Sequence, residues 1–123
     1  MANDAYDRDN IFAKILRGEI PNTTVYEDDE VLAFEDIAPQ APVHVLVIPK
    51  GDYVSFNDFS AQAPADVVGR FFARVGEIAQ SLGVADDGYR LIANTNDNGG
   101  QEVPHFHVHI CGGQHLGRML PGA

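Results

Sequence analysis

The feature that most constrains this chain is the run His105-Phe106-His107-Val108-His109-Ile110, where three of the five histidines alternate strictly with apolar residues. Successive side chains on a strand point to opposite faces, so the pattern predicts three imidazoles on one face and Phe106, Val108 and Ile110 on the other. Neighbouring imidazoles would be about 6.6 Å apart along the strand. The apolar face belongs against a core. The histidine face is expected to be wet and functional, because three polar rings on one face need partners or water.

Two chemistries suit such a face. A His-x-His pair on a strand can place two imidazoles on one zinc, with His44, also in an extended stretch, as a third ligand; Glu102 is the nearby anion, and Cys111 joins the histidine face only at the strand end. Alternatively, a neutral imidazole is a good nucleophile near neutral pH when one nitrogen is free and the other holds its proton against a carbonyl. Neighbouring imidazoles can then donate to phosphoryl oxygens or protonate a leaving group. The preceding Gly99-Gly100-Gln101-Glu102 offers backbone N–H groups that can approach an anion closely.

The rest of the chain predicts the frame. Asn10 is a good N-cap, Ile11, Phe12, Ile15 and Leu16 fall at helical spacing, and Gly18 and Pro21 end the helix. Extended stretches follow at Thr23 to Glu27, Val31 to Ile37 and Val43 to Pro49, spaced as an antiparallel meander. Val67, Val68, Phe71, Phe72, Val75, Ile78, Ala79 and Leu82 trace a 3.6-residue stripe, predicting one long helix between Ser60 and Leu82 that stops at Gly83. Gly88 to Thr95 and His105 to Cys111 read as two further strands around a polar loop from Asn96 to Glu102, and Gly112 to Ala123 as an irregular surface segment. Clustered strands with two helices make the class α+β, with a five-stranded, largely antiparallel sheet.

At 123 residues the chain suits one domain, expected over residues 10–123, preceded by a flexible acidic tail at 1–9. The net charge of −10 and the scattering of the eight cations exclude a polynucleotide or anionic membrane as partner. No run of about 18 apolar residues could span a bilayer, and the first ten residues have no apolar signal core. The single Cys111 cannot form an intrachain disulfide, which fits a reducing compartment and a cytoplasmic protein.

With Cys111 following it, the alternating run resembles the signature of the histidine triad (HIT) family, and the resemblance extends over nearly the whole chain. It includes Ile11-Phe12-Ala13-Lys14-Ile15, Glu19-Ile20-Pro21, Ala33-Phe34-Glu35-Asp36-Ile37-Ala38-Pro39-Gln40-Ala41-Pro42-Val43-His44, Gly88-Tyr89-Arg90-Leu91, Gly99-Gly100-Gln101 and Gly112-Gly113. Together these are similar to the Hint branch, the purine nucleoside phosphoramidases.

The resemblance implies a homodimer whose two sheets join into one. It also implies hydrolysis of adenosine or guanosine 5′-phosphoramidates to a nucleoside monophosphate and an amine through a nucleotidyl-histidine, with no metal or cofactor. On the same ground His107 is the expected nucleophile, His109 contacts the phosphate, and His44 and His105 complete the imidazole network. Asp36 and Ile37 match the ribose contacts, and Phe12, Ile15 and Phe34 the base pocket. Asn94, Gly100, Gln101 and Glu102 match the phosphate and leaving-group side, with Val103 also among the substrate-binding residues. Three departures stand out: Pro104 occupies a position often aromatic in that branch, Glu102 stands where some relatives have a hydroxyl residue, and Gly117 to Ala123 lacks tryptophan. A dinucleoside polyphosphate hydrolase of a related triad branch, which Gly112-Gly113 disfavours, and a nucleotide-binding regulatory protein are the alternatives.

Overall fold

Seven residues, Val43–Pro49, are almost entirely buried and pair along both edges, which makes them the centre of the sheet. The structure is a computed structural model that describes residues 6–120. In chain order its elements are α1 (Ile11–Leu16), β1 (Thr24–Glu27), β2 (Val31–Glu35), β3 (Val43–Pro49), α2 (Phe56–Gln62), α3 (Ala65–Ser81), β4 (Tyr89–Ile92), α4 (Asn96–Gly99) and β5 (Val108–Gly112). The sheet order is β1-β2-β3-β5-β4, and every neighbouring pair is antiparallel. The first three strands are the expected meander. β5 then inserts between β3 and β4, leaving β1 and β4 as edges.

Both faces of the sheet are covered, so the inner strands are apolar at nearly every position. Val31, Ala33, Val45, Val47, Val108 and Ile110 face α2 and α3, where Phe59, Phe71, Val75, Ile78 and Ala79 complete the larger core. Phe106 stacks on Phe59 in this layer, with ring centroids 4.7 Å apart. Burying each such ring stabilises the fold by roughly 1.5–3 kcal/mol. The opposite face presents Leu32, Phe34, Leu46 and Ile48 to Phe12 and Ile15 of α1. By strand alternation, His44, His107 and His109 project toward this second layer.

Four helices replace the expected two among the described residues. The helix expected from Ser60 is divided at Pro64, upstream of the apolar stripe; Pro64 caps α3, while Ala63 before it is extended, because a residue preceding proline avoids the helical region. Upstream, Ser55 and Asp58 form a capping box that starts α2. Within the expected polar loop, Asn96–Gly99 close one helical turn, ending at Gly100 in the left-handed region with φ of 76°.

The strands are also shorter than the alternation predicts. β2 stops at Glu35, because the Asp36 carboxylate accepts from the Ala38 N–H in a tight turn. β5 begins at Val108, so residues 105–107 lie outside the ladder; the Phe106 N–H donates instead to the Tyr53 carbonyl at 2.7 Å. Of the expected loose tail, residues 1–5 lie outside the described residues, and residues 7–9 are exposed. Tyr6 is buried, Arg8 pairs with Asp52 at 2.8 Å, and the Arg8 carbonyl accepts from Arg17. Among the described residues, no helix is long and apolar enough to cross a membrane.

Candidate active site

α1 does not cover the whole second face of the sheet, and the uncovered part is a cavity of about 380 Å³. Asn10 starts α1 by accepting from the Ala13 N–H, and this helix supplies Phe12 and Ile15 to one wall. Phe34 of β2 and Leu46 of β3, paired in register, continue the apolar wall, with Phe12 and Phe34 in edge contact at 5.5 Å. Asp36 and the fully exposed Ile37 form one rim, and Asn94, Gly100, Glu102 and Val103 the other. His107 and His109 close the inner end.

The hydrogen bonds determine which nitrogen of each imidazole carries the proton. His107 Nδ1 lies 2.7 Å from the His105 carbonyl, which can only accept, so Nδ1 holds the proton and Nε2 keeps its lone pair. His44 Nδ1 accepts from the Gln40 N–H at 2.9 Å, so its Nε2–H donates to His109 Nδ1, also at 2.9 Å. His109 is therefore protonated on Nε2. Of the two rings lining the cavity, one carries a lone pair on Nε2 and the other a proton.

Burial disfavours the charged form of His105, His107 and His109. Desolvation, aided by the neighbouring His107, lowers His105 to about 4; His109 falls to about 4 by desolvation with His107 and His44 beside it. His107 is lowered by desolvation as well, against the opposing pull of its bond to the His105 carbonyl. Phe12 packs edge-on against His107 at 4.9 Å and supplies part of that apolar surrounding.

Three of the residues read from the sequence stand apart from the cavity lining. His105 does not lie on a wet face: it is wholly buried, its Nε2–H donating to the Pro49 carbonyl at 2.8 Å and its Nδ1 facing the Tyr6 hydroxyl at 2.5 Å. The histidine face is thus a second buried layer, because α1 and Tyr6 cover the part of it that solvent was expected to reach. His44 lies behind His109, with Asp36 Oδ2 at 3.4 Å from its Nε2. Gln101 is a clamp, its amide donating to the Val54 and Val103 carbonyls while its side-chain oxygen accepts from Asn96. The backbone donors expected of the glycine loop are partly spent, since the Gly100 and Gln101 N–H groups bond to the carbonyls of Asp97 and Asn96.

Ile11, Ile20, Pro21, Asn22, Glu35 and Leu46 also line the cavity and were not among the site residues expected from the sequence. Leu46 could have been found, since alternation puts it on the face of His44. For metal binding, Asp36, His44 and His109 place ligand atoms within 4.8 Å of one another. An ion there would have to replace the His44 to His109 hydrogen bond, and His107 is not part of the group.

The comparisons with known proteins agree with this geometry. The family model of the HIT domain matches residues 17–116. The chain is 52% identical over 112 residues to the purine nucleoside phosphoramidase of Escherichia coli, covering 91% of this chain and 93% of that one. It is 51% identical over 115 residues to an uncharacterized HIT-like protein of Azospirillum brasilense, covering 94% of each. A histidine triad protein from Clostridium difficile, solved at 0.95 Å, superimposes with a TM-score of 0.81 at 45% identity, over 91% of this chain and 96% of that one. With its alternating histidines, its five-stranded antiparallel sheet and these relatives, the chain belongs to the HIT domain family.

Proposed function

We propose that this protein is a purine nucleoside phosphoramidase, cleaving the P–N bond of adenosine or guanosine 5′-phosphoramidates to release a nucleoside monophosphate and an amine. The observation that carries the reading is the pair of complementary rings, an Nε2 lone pair on His107 beside an Nε2–H on His109, at the closed end of an apolar cavity. The named activity of the E. coli relative supports it.

In this mechanism the purine lies against Phe12, Ile15, Phe34 and Leu46, while Asp36 and Ile37 hold the ribose. Asn94, Gly100, Glu102 and Val103 face the phosphate and the departing amine. His107 Nε2 attacks phosphorus; the N–P bond to His107 forms as the P–N bond to the amine breaks. The leaving nitrogen departs as a neutral amine because it carries a proton taken up from solvent, while the Nε2–H of the neutral His109, held by His44 from behind, donates a hydrogen bond to a phosphoryl oxygen. Water then attacks the nucleotidyl-histidine, its oxygen bonding to phosphorus as the bond to His107 Nε2 breaks and its proton passing to solvent. His107 returns to its neutral form with its proton still on Nδ1. No step uses a metal or cofactor.

Two copies of the chain form the working unit. Edge strand β4, where Tyr89 and Leu91 are exposed, offers unpaired backbone for a second sheet to join. A reducing cytoplasm suits the protein, where the buried Cys111 stays a thiol. The direct test is incubation with adenosine 5′-phosphoramidate, read as AMP released over time. Absence of AMP release at high enzyme concentration would defeat the assignment.

A further inference from the structure

From the docking of the N-terminal segment on the histidine run, we infer that Tyr6 is a positioning residue for the nucleophile, acting through His105. The inference rests on the function proposed for His107. The Pro49 carbonyl can only accept, so His105 carries its proton on Nε2, and its buried Nδ1 lone pair needs a donor. The Tyr6 hydroxyl, 2.5 Å away, is that donor. Its ring also packs edge-on against the imidazole, with centroids 5.6 Å apart. Burial pushes the phenol up from its ordinary value, so it stays protonated.

What makes this contact matter is where the sheet ends. Residues 105–107 have no ladder partners, because β5 begins at Val108. The peptide plane of the His105 carbonyl that holds His107 Nδ1 is fixed on one side by the Phe106 N–H, which donates to the Tyr53 carbonyl, and on the other by the bonds of residue 105: its ring to Pro49 and Tyr6, and its N–H to the Val103 carbonyl at 2.9 Å. Removing the phenol oxygen leaves a buried lone pair unsatisfied. The ring of residue 105 then loses one of its two anchors, and the carbonyl orienting the nucleophile loosens with it. The cavity walls that bind the nucleotide are untouched, so the loss falls on turnover and not on binding.

The test compares Tyr6→Phe, which keeps the ring and removes the hydroxyl, with Tyr6→Leu, which removes both. Tyr6→Phe is expected to lower kcat about fivefold to tenfold on adenosine 5′-phosphoramidate with KM unchanged. Nitrogen-15 NMR of the imidazoles supplies a readout that a packing role would not move. The wild type should show His105 protonated on Nε2 and His107 on Nδ1; in Tyr6→Phe the His105 Nδ1 signal should shift toward that of an unbonded lone pair, and the His107 Nδ1–H should exchange faster with water. Wild-type kcat in folded Tyr6→Phe, or a loss seen only in Tyr6→Leu, would overturn the proposal, as would kcat and KM changing together. If Tyr6→Phe does not fold, the wild-type spectrum decides: a proton on His105 Nδ1 overturns the role and one on Nε2 upholds it. A wild type without turnover would count against the phosphoramidase reading, and the nitrogen signals would still judge Tyr6.

Discussion

His44 Nε2 lies 2.9 Å from His109 Nδ1, and the Gln40 N–H bonded to the other side of the His44 ring sets the direction of that hydrogen bond. A loop amide thereby determines which nitrogen of His109 is left protonated. Removing either ring should therefore weaken the hydrogen bond offered to the phosphate without removing the nucleophile.

Substitution separates the three roles. His107→Ala should abolish turnover while leaving AMP binding within a few-fold of wild type, by calorimetry. His109→Ala should lower kcat by about 10² to 10³, the usual range for a lost hydrogen-bond donor to the reacting oxygens. His44→Ala, which only orients, should cost about 10- to 100-fold. A His107→Ala protein that still turns over would remove the covalent mechanism.

The pH profile follows from burial. Because desolvation lowers His107 below the ordinary imidazole value of 6.5, the neutral nucleophile persists into mild acid. The acidic limb of kcat/KM should therefore fall at a pH below 6.5. A limb centred above 6.5 would mean that another group controls the reaction.

Stability should follow pH in the same region. In the unfolded chain His105 and His109 take up protons near 6.5, whereas in the fold they do so only near 4. As pH falls through that window the unfolded state binds protons that the native state refuses, so stability drops; above it both states are neutral and the effect vanishes. Thermal melts between pH 7.5 and 4 should show Tm falling below about 6.5. A flat Tm across that interval would contradict the burial of these rings.

Part of this site follows from local sequence pattern and part from contacts distant in the chain. Alternation placed Phe106, Val108 and Ile110 in the core and His107 and His109 on the opposite layer, because side-chain direction in a strand is a local property. The burial of His105 depends on Tyr6, 99 positions earlier, and no local pattern carries that contact. Pro64 is a local helix stop, but the helix expected from Ser60 ran through it, because the phase of the stripe from Val67 to Leu82 was carried back past it. The capping box of Ser55 and Asp58 was missed, although Ser-x-x-Asp is a local signal. The turn at Asn96–Gly99 was not, because it begins with Asn96 at φ of 54°, a conformation that its loop imposes.

Sugar recognition tests the rim. If Asp36 accepts from the ribose hydroxyls, the ribonucleotide substrate should exceed its 2′-deoxy form in kcat/KM by about tenfold. Asp36→Ala should erase most of that ratio. A preference that survives the substitution would remove the role of Asp36 and leave the rest intact.

Association tests the sheet edge. Light scattering at micromolar concentration should give a particle of twice the chain mass. Leu91→Arg, which puts a charge on exposed β4, should shift it toward the monomer. A wild type of single-chain mass would remove the dimer.

Three carbonyls in one short stretch hold the segment that leads to His107: Pro49 accepts from the His105 ring, Tyr53 from the Phe106 N–H, and Val54 from the Gln101 amide. The path from 49 to 54 thus serves as a template against which the reacting imidazole is set to height. Adding or deleting one residue there would displace all three acceptors at once and move His107 relative to the cavity. The turn at 83–88 contributes no residue to the cavity lining, so the same change there would leave His107 in place. Tolerance to length variation is therefore unequal around the molecule, and it is lowest on a surface stretch that contributes no side chain to the cavity.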